Sequence, residues 1–73
     1  MPGLMVILFY TSSHAFRAEK TLKRAGLECR LVPVPRHLSS DCGVCARISA
    51  DKEDEAVVLL TEARVQTAGW HSI

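Results

Sequence analysis

The sequence predicts an α+β sandwich in which two helices cover one face of a four-stranded antiparallel sheet. Three observations lead there. Stretches with strand and helix periodicity follow one another as strand, helix, strand, strand, helix, strand. The first strand is apolar on both faces, whereas the second and third each carry one polar face. The middle strands are joined by a run with neither periodicity, from Pro33 to Gly43.

Leu4 to Tyr10 is an unbroken apolar strand, which suits a central place in the sheet. Thr11, Ser12 and Ser13 follow as candidate N-caps. From His14 to Ala25 the period becomes helical: Ala15, Ala18, Leu22 and Ala25 share one side, and Arg17, Lys20, Lys23 and Arg24 the other. Gly26 is the expected stop. Leu27 to Val32 alternates, with Leu27, Cys29 and Leu31 facing inward and Glu28 and Arg30 facing water, until Pro33 and Pro35 end the ladder. Val44, Ala46 and Ile48 alternate with Cys45, Arg47 and Ser49 in a third strand. Asp51 is the expected cap of a second helix whose buried stripe is Ala56, Val57, Leu60 and Ala63. Arg64 occupies the place where a terminating glycine is expected, and a last strand, weakened by Gly69, runs from Val65 to Ile73. This is the element order of the ferredoxin-like fold, taken as one domain over residues 1–73.

Composition narrows the function classes. Nine basic and eight acidic residues leave a formal charge of +1, too balanced to draw the chain to nucleic acid or a membrane surface. Four aromatic residues, Phe9, Tyr10, Phe16 and Trp70, offer little platform for stacking bases. The longest apolar run is far shorter than the roughly 20 residues of a membrane span, and it has neither the basic start nor the cleavage site of a secretory signal. A cytoplasmic setting is expected. Three cysteines then read as thiols, metal ligands or redox groups rather than as a disulfide framework.

The connection Pro33-Val34-Pro35-Arg36-His37-Leu38-Ser39-Ser40-Asp41-Cys42-Gly43 is the candidate working part, because loops held by a rigid scaffold tend to carry chemistry. In the predicted topology its cysteine end and the first helix's N-terminus lie at the same end of the sheet. Cys42 is therefore expected near the backbone N–H groups of Ser12, Ser13 and the residues after them, where the positive helix end favours a thiolate. Gly43 is expected to let the backbone turn or approach a partner. Arg36 and His37 are candidate cations beside the sulfur, and Ser39 and Ser40 candidate polar contacts. Cys45 completes a C-x-x-C with Cys42. Residues three apart on a strand face opposite ways, so Cys45 is read first as a small residue filling the sheet's open face and second as a resolving thiol. Cys29 is expected to be a buried, inert thiol. His14, His37, Cys42 and Cys45 lack the spacing of a closed zinc site, so no metal and no cofactor are expected.

Phe9-Tyr10-Thr11-Ser12, Ala18-Glu19-Lys20, Leu22-Lys23-x-Ala25-Gly26, Arg30-Leu31-Val32-Pro33-Val34-Pro35-Arg36 and Leu38-Ser39-Ser40-x-Cys42-Gly43 together resemble the small selenium/sulfur carrier-like proteins, from about Leu8 to Val65. The resemblance implies a carrier that holds sulfur or selenium on Cys42 as a persulfide or selenopersulfide. It implies protein partners: a donor such as a cysteine desulfurase, and an acceptor enzyme. Such a chain is a substrate of other enzymes rather than an enzyme. Cys45 and Arg64 depart from the pattern. Two other classes stay open, a thiol–disulfide or peroxide-sensing module using Cys42 with Cys45 or Cys29, and a binding domain whose loop recognises a ligand without covalent chemistry.

Overall fold

A computed structural model describes residues 3–38 and 42–73. In chain order they form β1 (Leu4–Leu8), α1 (Ser12–Arg24), β2 (Arg30–Pro33), β3 (Val44–Ser49), a 3-10 turn (Ala50–Lys52), α2 (Glu53–Glu62) and β4 (Gly69–Ser72). The sheet runs β2-β3-β1-β4 and every pairing is antiparallel, which is the ferredoxin-like arrangement. β1 is central as its composition predicts, with Ile7 opposite Ala46 on one side and Trp70 on the other.

Two cores sit on the two faces of this sheet. On the helix side Met5, Ile7, Ala46 and Ile48 meet Ala15, Ala18, Leu22, Ala56 and Leu60, all essentially buried. On the other side Val6, Leu8 and Cys45 are just as buried, under Val32, Val34 and Leu38. Val34 and Leu38 belong to the connection after β2, so that connection folds over the face the helices leave open. Val34 and Leu38 are half-buried there, and each contributes a part of the roughly 1.5–3 kcal/mol that full burial of such a side chain is worth.

Local chemistry sets the element ends. Thr11 caps α1, its hydroxyl oxygen accepting from the His14 N–H at 3.2 Å. Past α1, Gly26 takes a φ of 83°. The Leu27 N–H then reaches the Leu22 carbonyl at 2.9 Å and the Gly26 N–H that of Lys23 at 3.0 Å, a Schellman closure. The same pattern ends α2: the Val65 N–H reaches Leu60 at 3.0 Å and the Arg64 N–H reaches Thr61 at 3.1 Å. Here the left-handed residue is Arg64, with a φ of 58°.

Three sequence expectations change. Asp51 does not cap α2 through its side chain: it lies inside the 3-10 turn, and Lys52 holds the N-cap position without a side-chain hydrogen bond. The acidic residues Glu53, Asp54 and Glu55 still favour the positive end of α2. Val57 is exposed and Leu59 packs inward in its place. β2 begins at Arg30 instead of Leu27, because Leu27 is committed to the closure of α1. Leu27 and Cys29 still face the helix-side core, as their alternation predicts.

Candidate functional site

Cys42 lies just before β3, at the end of the sheet from which β1 feeds into α1. Its side chain is buried in the helix-side core, the cluster that also holds Phe9 and Ala15. Only 3% of the residue is exposed. The first turn of α1 carries no acidic side chain to offset the positive helix end that faces this part of the molecule.

Cys45 lies on the other face. It is fully buried among Val6 and Leu8 beneath Leu38 and Val34, and its thiol donates to the Pro33 carbonyl at 3.8 Å. Burial first, and then the negative charge of a nearby Cys42 thiolate, push the Cys45 thiol up from its ordinary range. The two sulfurs of the C-x-x-C thus occupy separate cores, and all three cysteines are thiols. A bond between Cys42 and Cys45 requires one of them to leave its side of the sheet.

The remaining candidates divide by position. Arg36 and His37 form the exposed tip of a tight turn closed by the Leu38 N–H on the Pro35 carbonyl at 3.0 Å, so both side chains stand in water. Gly43 is exposed, and its carbonyl accepts from the Val34 N–H at 3.2 Å. Its φ lies outside the left-handed region and a Cβ there would meet nothing within 4 Å, so the fold itself does not require glycine. Ser12 and Ser13 open α1, both exposed. Ser39 and Ser40 lie outside the described residues. His14 places a buried Nδ1 with no hydrogen-bond partner among the described residues.

Cys29 sits at the opposite end of the molecule, 4% exposed. Burial, with the Glu19 carboxylate adding to it and Lys23 partly offsetting it, pushes its thiol up to about 11. Among the described residues no cluster of three or more His, Cys, Asp or Glu side chains could hold a metal ion. No described helix is long and apolar enough to cross a membrane.

Sequence reasoning missed the cover over Cys45. A signal for it exists. A first strand apolar on both faces needs something on its second face, and Val34 and Leu38 are the apolar side chains of the connection left without a place.

A small α+β domain with a cysteine at the mouth of the β2–β3 connection and a helix N-terminus at the same end of the sheet defines a class of thiol-bearing modules. This chain belongs to the family described as "Putative Se/S carrier protein-like", whose model matches residues 4–72. No curated protein and no solved structure matches the chain. A carrier-like family implies protein partners.

Proposed function

We propose that this chain carries sulfur or selenium on Cys42 and passes it between two enzymes. The reading rests on one observation above the others: the family match spans the Cys42 connection, and the other two cysteines have structural explanations. Cys29 is a core thiol held protonated at neutral pH, and Cys45 is locked under Leu38 with its hydrogen directed at Pro33.

In the first step the Cys42 thiolate attacks the outer sulfur of a persulfide on the donor's cysteine. The donor's S–S bond breaks, its thiolate leaves with the electron pair, and a new S–S bond forms on Cys42. In the second step an acceptor nucleophile takes the outer atom and the Cys42 thiolate departs. Neither step is a net oxidation. With selenium as the outer atom the bond formed on Cys42 is S–Se.

Burial adds a condition. A cysteine only 3% exposed must be uncovered before its sulfur meets another enzyme's cysteine. Closure between transfers would shield the added atom from water and stray thiols. Arg36, His37, Ser12, Ser13 and Gly43 are the residues a docking donor or acceptor would meet at that end. The cytoplasm, where thiols stay reduced, is the fitting compartment.

Intact-mass spectrometry after incubation with a cysteine desulfurase tests the proposal, once with cysteine and once with selenocysteine. The expected adduct is one sulfur or one selenium atom per chain, removed by a thiol reductant and absent in Cys42→Ser. An adduct retained in Cys42→Ser, or none on the wild type, would overturn it.

A further inference from the structure

At the end of the sheet away from Cys42, the late start of β2 leaves a gap. Residues 27–29 turn off before pairing, so the end of β3 at Ile48 and Ser49 has no neighbour on that side. The opening is a cleft of about 470 Å³ lined by Lys23, Glu28, Cys29, Arg30, Arg47 and Ser49, among others. Its size falls in the range of small-molecule sites.

The charge in this cleft is lopsided. Three cations line it against one carboxylate, that of Glu28. Arg30 and Arg47 stand directly opposite each other across the β2–β3 ladder. Like charges in that relation destabilise a sheet. Neither guanidinium has an ion-pair or hydrogen-bond partner among the described residues, whereas Lys23 is held by Glu19 at 3.4 Å. Glu28 makes no ion pair with either arginine among the described residues. The buried Cys29 and Ile48 form part of the wall beside these charges.

We infer that this cleft binds a small dianionic oxyanion of the phosphate or sulfate type, held by Arg30 and Arg47 with Lys23 at its edge. Two guanidinium groups on directly opposed residues lining one cleft suit a tetrahedral oxyanion, which can accept from both. An anion between them turns a repulsive pair into two charge-assisted contacts. The volume exceeds that of a bare ion, so the same chemistry serves either the hydrated free anion or the phosphate of a larger molecule. This inference is independent of the sulfur chemistry proposed for Cys42.

The test is an amide chemical-shift titration of the full chain at fixed pH, with sodium phosphate against sodium chloride at equal ionic strength. Saturable shifts are expected near residues 28–30 and 47–49 with phosphate alone. Arg30→Gln and Arg47→Gln should each weaken binding about tenfold, the loss of one charge-assisted contact. Unchanged or higher melting temperatures of these variants in chloride would show that they fold. A parallel titration with a phosphomonoester separates the sources: tighter binding than phosphate assigns the cleft to a phosphorylated molecule, and weaker binding to the free ion. Shifts that do not saturate, that chloride reproduces, or that persist at full affinity in both variants would overturn the inference.

Discussion

Gly26 and Arg64 stand at the same position of the two helices, one residue beyond the C-cap, and both have a positive φ, 83° and 58°. Both are followed by an apolar residue, Leu27 or Val65, that turns back into the core. The closures are alike in geometry and differ in chemistry, since an L side chain in the left-handed region carries a cost of roughly 1–2 kcal/mol that glycine avoids.

Arg64→Gly should therefore raise stability by about 1 kcal/mol, after the greater freedom of glycine in the unfolded chain is counted. For a domain of this size that is a rise of about 4–8 °C in melting temperature. Gly26→Ala should lower it by a similar amount. Thermal unfolding by circular dichroism measures both, and a fall for Arg64→Gly would show that the arginine makes a compensating contact.

Arg17 ties the helices together. The last turn of α2 has no basic residue, and the guanidinium of Arg17 on α1 donates to the Ala63 carbonyl at 3.2 Å instead. A cation at a helix C-terminus with one exposed hydrogen bond contributes about 0.5–1 kcal/mol. Arg17→Ala should lose that in a denaturant titration and Arg17→Lys should lose less. The two variants being equally stable would remove the capping role.

The Cys29 thiol makes stability depend on alkaline pH. Its value in the fold, about 11, lies above the ordinary 9.0, so the folded chain holds the proton more tightly than the unfolded chain does. The stabilisation is complete below the ordinary value. It is lost as pH rises through the folded value, amounting to roughly 3 kcal/mol between the two. Comparing wild type with Cys29→Ala across this range isolates the thiol from other groups that titrate there. Equal slopes would count against it. At neutral pH a bulky thiol reagent should spare Cys29 until the chain unfolds.

Leu38 is the lid over Cys45. Leu38→Ser should speed labelling of Cys45 in the native protein severalfold, because it removes half-buried apolar cover worth on the order of 1 kcal/mol. Peptide mapping after timed alkylation gives the rate. An unchanged rate would mean that Cys45 is guarded by Val34 and the strands alone.

The readability of this chain from sequence follows from how local each feature is. β1, α1, the alternation of β3 and the Gly26 stop rest on residues within a few positions of one another, and all appear as expected. The strand pattern at Leu27 to Cys29 was correct about which side chains face inward and misleading about pairing. The closure of α1 claims Leu27, and alternation cannot report that. Asp51 resembles a cap in every local respect, yet β3 passes straight into a 3-10 turn that absorbs it. Cys42 was legible as the cysteine of the connection. Its depth was not, because burial there depends on a core assembled from β1, α1 and β3.

The connection after β2 acts as a third layer of the sandwich. Val34 and Leu38 press on one face of the sheet, and a few residues later Cys42 is set into the other. One strip of chain therefore clasps the sheet from both sides around the start of β3. A partner that draws Cys42 outward pulls on the same strip that covers Cys45. The second thiol, inert in the closed molecule, becomes a gauge of how often the clasp is undone.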